Sequence, residues 1–165
     1  MGSGQPAPAG GEVAGIQRRR RMTLGKIETI AISGPAMLTV VWDNQRRADV
    51  DLGPLIAARA NLAPLADRFV FATAAISDDG WAVEWPVGID FGSAQLRRWA
   101  DEQIGETMPS AGLRTWMERH DLTLDTAAAA LGLSRRTIAY YLSGEQVIPK
   151  TVMLATEGYD ARRAA

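Results

Sequence analysis

Apolar and polar residues alternate along short stretches in the first half of the chain, which is typical of β strands. The alternating or nearly continuous apolar stretches are KIETIAI at 26–32, MLTVVW at 37–42, RADVDL at 47–52 and WAVEW at 81–85. Asp43 and Asn44 separate the second stretch from the third, and both residues tolerate the backbone of a tight turn. The pattern therefore predicts a hairpin of antiparallel strands and, after the SDDG turn at 77–80, a further strand.

Helical signals are fewer in this half. Residues 54–60 predict a short helix or turn, and residues 62–76 fit either a helical turn or a strand. Ser93 is expected to cap a helix that runs to about residue 104. That helix would bury one apolar stripe, formed by Leu96, Trp99, Ala100 and Ile104. Residues 23–105 are therefore predicted to form a small α+β domain with an antiparallel sheet and a helix.

The pattern becomes purely helical after a predicted boundary at Pro109, Ser110 and Gly112. The expected helices span 113–120, 124–131, 135–142 and a segment that begins near 148, with Pro149 in its first turn. Thr123 and Ser134 are expected to cap the second and third helices, and Gly132 and Gly144 to end them. Residues 111–160 are therefore predicted to form an all-α bundle, and the fold class is α+β.

The first 22 residues are rich in Gly, Pro and Ala and contain few large apolar side chains. Such a segment buries too little surface to offset its ordering entropy, so residues 1–22 are predicted to be a disordered arm. Four arginines follow one another at 18–21. They are consistent with an arm that touches phosphate or with a solvated tail.

The composition excludes several classes of protein. The chain has 165 residues, 47% of them hydrophobic, which is enough for a packed core. No apolar run approaches the 18 residues of a membrane span. The absence of cysteine excludes disulfides and thiolate catalysis, and the single histidine, His120, cannot supply a His-rich metal cluster. We expect no metal site and no cofactor.

The charge is nearly balanced, at −1 for the whole chain, so any nucleic-acid binding must come from local charge. Residues 23–104 contain seven basic and eleven acidic side chains, whereas residues 111–165 contain seven basic and six acidic ones. Residues 23–104 are therefore acidic on balance, and residues 111–165 are slightly basic.

The stretch AAAALGLSRRTIAYYLSGEQVIP at 127–149 meets the requirements of a helix-turn-helix. Ala128 is small enough to let two helices approach, and Gly132 can adopt the positive φ of the turn. Ile138 and Tyr141 are three residues apart and can anchor the second helix. An ordinary helical hairpin also needs a small residue and a glycine, so this interpretation stays open beside the first.

The outward positions of the second helix have side chains suited to DNA. They are Ser134, Arg135, Arg136, Thr137, Tyr140 and Ser143. Arginines, hydroxyls and a tyrosine serve both phosphate and base-edge contacts. A solvated helix face is the alternative interpretation of the two arginines.

Residues 122–156 resemble the helix-turn-helix of the phage-repressor-like (Cro/C1, or Xre) family in LTLDTAAAALGLSRRTIAYYLSGEQVIPKTVMLAT. The resemblance implies that the helix opened by Ser134 lies in the major groove and that residues 148–154 pack back on the bundle. Leu142 departs from the family pattern, which often has a polar or charged residue there.

The N-terminal half resembles a bacterial domain of unknown function, number 2442. The resemblance rests on Asp51, Leu52, Pro54 and Leu55 and on Trp85, Pro86, Gly88 and Asp90. It implies a short hairpin sheet. Members encoded beside small toxin-like proteins imply an antitoxin role.

Candidate catalytic residues are few, and we expect no enzymatic activity. Asp78 and Asp79 suit a turn, Asp51 suits a cap, and His120 suits the end of a helix. Three tryptophans could form core or line a ligand pocket, and burial preferences favour core. They are Trp42, Trp81 and Trp85.

These features together predict a cytoplasmic, homodimeric, sequence-specific transcriptional regulator that binds double-stranded DNA and carries an N-terminal protein-interaction module. One alternative is an antitoxin that binds a small toxin and represses its own operon. The other is an adaptor that uses its helices for protein contact without DNA.

Overall fold

The computed structural model describes residues 25–165, so the predicted arm at 1–22 lies outside the described residues. The chain begins with a three-stranded antiparallel sheet in the order β1-β2-β3. The strands are β1 (Ile27–Gly34), β2 (Met37–Trp42) and β3 (Arg47–Asp51). Gln45 adopts a positive φ of 64° in the turn before β3, so the predicted hairpin turn is confirmed.

The segment after β3 is helical at first and then enters a second small sheet. It contains α1 (Gly53–Ala58), a 3₁₀ turn (Ala60–Ala66), α2 (Arg68–Phe71), β4 (Ala75–Ile76), β5 (Ala82–Trp85) and β6 (Ile89–Gly92). The three strands form an antiparallel sheet in the order β4-β5-β6. Residues 62–76 therefore contain both helical turns and a strand, the two possibilities that the sequence left open.

The core of the N-terminal part lies between the two sheets and α3 (Ser93–Gln103). Trp42, Leu38 and Leu96 are fully buried there. Trp85 packs against Phe71 with 5.7 Å between ring centroids, and its indole N–H donates to the Phe71 carbonyl at 2.9 Å. Because this polar atom is satisfied internally, the ring can be buried without leaving an unpaired donor.

Ser93 is not the N-cap of α3, contrary to the expectation. Gly92 is the N-cap, and the Ser93 side chain is buried. Its hydroxyl accepts from the Trp42 indole N–H at 2.9 Å and donates to the Gly25 carbonyl at 2.5 Å. The hydroxyl therefore satisfies a buried tryptophan of the first sheet rather than its own helix end.

Two residues expected in the core are exposed. Ile104 follows the last turn of α3 as its C-cap and is 63% exposed, so the predicted stripe ends at Ala100. Trp81 precedes β5 and is 41% exposed, with the Lys26 ammonium 5.6 Å from its ring. Trp42 and Trp85 are buried, as expected.

The second half is helical and has its own buried cluster. Its helices are α4 (Ser110–Arg119), α5 (Leu124–Leu131), α6 (Arg135–Ser143) and α7 (Lys150–Ala164). The cluster is centred on Leu113, Trp116, Ala127, Ile138 and Ile148. The α+β fold class is therefore confirmed, whereas the domain bounds 23–105 and 111–160 stay predictions.

Two expectations at the ends of these helices are wrong in detail. Ser110 and Gly112 lie inside α4, because Pro109 acts as its N-cap and its fixed φ suits the start of a helix. Pro149 is likewise the N-cap of α7 rather than part of its first turn. In the segment expected to pack back on the bundle, Ile148 and Val152 are buried but Leu154 is 52% exposed.

A two-stranded ribbon joins the halves and was not predicted. It pairs β7 (Thr107–Met108) with β8 (Ile148–Pro149) in antiparallel register. The Lys150 ammonium lies 2.9 Å from the Glu106 carboxylate next to this ribbon. Two-residue strands carry no periodicity, so only the folded chain reveals the pairing.

The turn between α5 and α6 depends on Gly132. This residue ends α5 with φ 67° and ψ 31°, and the next amide, that of Leu133, donates to the Ala128 carbonyl at 2.9 Å. This 6→1 hydrogen bond is typical of the Schellman motif, in which a helix ends at a residue with a left-handed backbone conformation. A Cβ at position 132 would contact nothing within 4 Å, so glycine is required by the backbone conformation alone.

The side chain of Asp160 on α7 binds three groups of α4. Its oxygens accept from the Trp116 indole N–H at 2.9 Å and from Arg119 at 3.0 Å, and lie 2.6 Å from His120 Nε2. Burial raises the pKa of Asp160, but the hydrogen bonds from His120 and Trp116 and the nearby charges outweigh it and lower that pKa. His120 ends α4 as predicted, and its partner is a carboxylate from another helix.

Ser93→Ala should lower the free energy of unfolding by about 1–3 kcal/mol, because the buried Trp42 N–H loses its acceptor. Urea unfolding measures the change. Ser33→Ala, at an exposed serine in β1, is the control and should change it by less than about 0.5 kcal/mol. Equal effects of the two substitutions would contradict the role assigned to Ser93.

Gly132→Ala should destabilise the protein by about 1–2 kcal/mol, since alanine is strained at this positive φ. Gly158→Ala is the matched control, because Gly158 lies inside α7 and its added Cβ also meets open space. That change should stabilise by about 0.5–1 kcal/mol. Thermal unfolding shifts of the same sign for both variants would refute the assignment.

Asp160→Asn should weaken the fold at neutral pH. A carboxyl with a lowered folded pKa stabilises the fold above its unfolded pKa of about 4, and this stabilisation is lost as the pH falls through the folded pKa. The difference in urea midpoint between wild type and D160N should therefore be largest near pH 7 and shrink below about pH 4. A pH-independent difference would argue against this contribution. Asp78→Asn, at an exposed turn residue, is the control.

Candidate nucleic-acid interface

Helix α6 is fixed at its start by local capping. Ser134 is its N-cap, and the Ser134 hydroxyl accepts from the Thr137 amide at 3.1 Å. The preceding helix α5 begins with a capping box, in which Thr123 and Thr126 each accept from the backbone amide of the other. Both caps were predicted from the sequence, and together they fix where each helix of the pair begins.

The inner face of α6 packs into the buried cluster of the second half, which includes Leu113, Trp116 and Ile148. Ile138 is fully buried and Tyr141 is 7% exposed. Ala128 on α5 is 5% exposed, and its small side chain suits the close approach of α5 and α6. Ile138, Tyr141 and Ala128 are therefore buried where α5 and α6 pack in this cluster, and Gly132 ends α5 in a left-handed conformation.

The outer face of α6 is open to solvent. Ser134, Arg135, Arg136 and Ser143 are exposed, while Thr137 and Tyr140 are half-buried. The structure thus brings all six predicted contact residues onto one short helix and its N-cap. The helix is interrupted at Gly132, and both arginines are exposed. A continuous helix or buried arginines would have excluded this face as a DNA-binding surface.

The two arginines of this face have different partners. Arg135 Nε lies 3.7 Å from the Asp125 carboxylate, and both side chains are mainly exposed, so the pair is weak and easily exchanged. Arg136 Nε donates to the Tyr140 hydroxyl at 2.6 Å, and its guanidinium lies 5.1 Å from the Tyr140 ring centroid. The side chains of Arg136 and Tyr140 are therefore held together and form one polar patch on the outer face of α6.

Ser143 differs from the other predicted contact residues. Its hydroxyl donates to the Tyr140 carbonyl at 3.1 Å and accepts from the Glu145 amide at 3.4 Å. These bonds close the end of α6. Ser143 therefore has a capping role in the structure, in addition to its predicted place at the edge of the surface.

The last carbonyls of α6 are bound by side chains from other elements, which the sequence did not indicate. Ser110 donates to the Tyr141 carbonyl at 2.6 Å, Arg114 to that of Leu142 at 3.4 Å, and Arg98 to that of Gly144 at 2.9 Å. These bonds satisfy acceptors that a helix end leaves free. Arg98 belongs to α3, so the N-terminal part of the chain binds the end of α6 directly.

Leu142, which departs from the repressor pattern, is half-buried and packs against the second cluster. It lines a shallow groove with Met117, Leu122 and the charged residues of the α4 end. The leucine is therefore accommodated by apolar contact within the bundle.

Other kinds of site are not found in the part of the chain that the structure describes. Residues 25–165 hold no group of three or more His, Asp or Glu side chains placed to bind a metal ion. Over the same residues, no helix combines the length and the apolar character needed to cross a membrane.

Comparison with known proteins gives two matches. A crystal structure similar to this chain is that of "Putative DNA Binding Protein NE0471 from Nitrosomonas europaea ATCC 19718". The two chains are 35% identical, with a TM-score of 0.49, and the match covers 84% of this chain and 88% of that one. No curated protein matches the chain significantly.

The second match is to the family described as "Protein of unknown function (DUF2442)" and covers residues 29–102. This range includes the Asp51–Leu55 and Trp85–Asp90 segments on which the predicted resemblance rests, so that prediction is confirmed. Residues 29–102 of the chain therefore form a DUF2442 domain.

Proposed function

We propose that this protein is a sequence-specific transcriptional regulator that binds double-stranded DNA through α6. The observation that carries the proposal is the placement of this helix. Gly132 turns the chain, Ile138 and Tyr141 hold the inner face, and the arginine-bearing outer face is open. This division of one helix into a buried and a polar face is what a recognition helix requires.

The helix is assigned to the major groove on chemical grounds. Arg135 and Arg136 can bind guanine in a bidentate manner or hold phosphate, and Thr137 and Tyr140 add hydroxyl groups. The first turn of α6 contains no acidic residue that would repel phosphate. The resemblance to the Xre family supports the same orientation.

The DNA-bound form is proposed to be a homodimer. Residues 111–165 have seven basic and six acidic side chains, so a single bundle can neutralise few phosphates. Two recognition helices about 34 Å apart would double the contacts and read a palindromic site. A cytoplasmic location without enzymatic activity completes this proposal.

The N-terminal domain is proposed to bind a protein. Several large apolar side chains are exposed on it, namely Ile32, Phe69, Trp81 and Val87. A small toxin is one such partner, and DNA binding is compatible with that antitoxin role because antitoxins can repress their own operon. A DNA-independent adaptor is the remaining alternative, and it predicts that salt-sensitive binding to DNA is absent.

The Arg135→Ala/Arg136→Ala double variant should bind the upstream region of its own gene at least about tenfold more weakly, since each specific arginine contact contributes about 1–3 kcal/mol. Both side chains are exposed, so the fold should not change. Fluorescence anisotropy with labelled duplex across a salt series measures affinity and salt slope. The slope should become shallower by about 1 for each phosphate that the variant no longer neutralises.

The matched control is the Arg47→Ala/Arg59→Ala double variant, which removes the same charge from exposed positions of the N-terminal domain. Its affinity should stay within about twofold of the wild type if α6 is the reading helix. Equal losses in both double variants would show a non-specific charge effect. Salt-insensitive or absent binding by the wild type would favour the adaptor.

A further inference from the structure

A groove lies between α3 and the β7–β8 ribbon, where the two halves of the protein meet. Its volume is about 460 Å³, and its lining includes Ala94, Arg97, Arg98, Asp101, Thr107 and Val147. This volume is within the range of small-molecule sites. The α6 outer face takes no part in its lining, so the groove is separate from the proposed DNA-binding surface.

Two polar side chains of the groove lack hydrogen-bond partners. Within residues 25–165, the buried Nε and Nη1 atoms of Arg97 and the buried Oγ1 of Thr107 make no hydrogen bond. A buried donor without an acceptor costs free energy, and the cost is larger for a charged group. All three atoms can donate, and both side chains line the groove, so an acceptor bound there would satisfy them once Arg97 and Thr107 turn these atoms toward it.

The charges around Arg97 also favour an added negative charge. The Asp101 carboxylate is bound by Arg46, and Arg98 is shared between Glu102 at 3.9 Å and the Gly144 carbonyl. Burial and the charge of Arg46 lower the pKa of Arg97, and the opposing effect of Asp101 is smaller. In the described chain Arg97 thus forms no ion pair of its own.

We propose that this groove binds a small organic monocarboxylate with an apolar body. The carboxylate would accept from Arg97 and Thr107, and the apolar body would lie against Ala94 and Val147. Val147 is 48% exposed although it is aliphatic, so a ligand there would cover apolar surface. Asp101 lines the same groove, which disfavours a second negative charge on the ligand.

The position of the groove connects the ligand to α6. Arg98 lines the groove and also donates to the Gly144 carbonyl at the end of α6. A carboxylate beside Arg98 would compete with that carbonyl and loosen the support of the helix. Any effect on DNA affinity rests on the proposed function, whereas binding itself does not.

The test is an NMR titration of the full chain with benzoate, without DNA. Benzoate should give saturable shifts of the Thr107, Val147 and Gly144 amides, and neither the uncharged benzamide nor inorganic phosphate should reproduce them. Arg97→Met should weaken benzoate binding by about tenfold or more, since a charge-assisted hydrogen bond is removed. Arg59→Met removes an exposed charge elsewhere and should bind as the wild type does.

Thr107→Val gives a second variant that should remain folded, because it removes a hydroxyl that has no partner within residues 25–165. It should weaken benzoate binding by about two- to tenfold. No saturable benzoate shift, equal shifts with benzamide or phosphate, or unchanged affinity in both groove variants would overturn the proposal. Because the titration contains no DNA, its failure is distinct from a failure of the anisotropy experiment.

Discussion

The left-handed turn at Gly132 is the constraint on which the second half of the structure depends. It ends α5, so that α6 starts in a new direction with Ile138 facing the core. The same change of direction leaves Arg135 and Arg136 in solvent. One backbone conformation thus determines both the packing of the bundle and the polar surface that we assign to DNA.

The far end of α6 depends on contacts from other elements. Its start is capped by Ser134 within the same segment, but its end is satisfied by Ser110 and Arg114 of α4 and by Arg98 of α3. A helix of nine residues has little intrinsic stability in water. The N-terminal domain therefore helps to hold the outer helix, which gives a physical route by which an occupant of the groove beside Arg98 could alter that helix.

The parts of the fold that could be predicted from sequence are those set by local rules. Strand alternation, the caps of α5 and α6, and the glycine at their turn all depend on residues within about four positions of one another. Ser93 shows where local rules fail. Its position fits the rule for helix caps, but its hydroxyl accepts from the buried Trp42 indole and donates to the Gly25 carbonyl instead. The β7–β8 ribbon, whose two-residue strands join distant segments, was likewise not predictable.

The candidate site follows the same division between local and distant information. Helical periodicity sufficed to predict that Arg135 and Arg136 of α6 face solvent, because a 3.6-residue repeat separates them from Ile138 and Tyr141, whereas Thr137 and Tyr140 are half-buried. It could not show that Arg136 is joined to Tyr140 while Arg135 has only a weak exposed pair with Asp125. Arg135 can exchange its carboxylate for phosphate at small cost, since that pair is already solvated. In the proposed complex Arg136 would approach DNA together with Tyr140, so we expect the two arginines to differ in the groups that they contact.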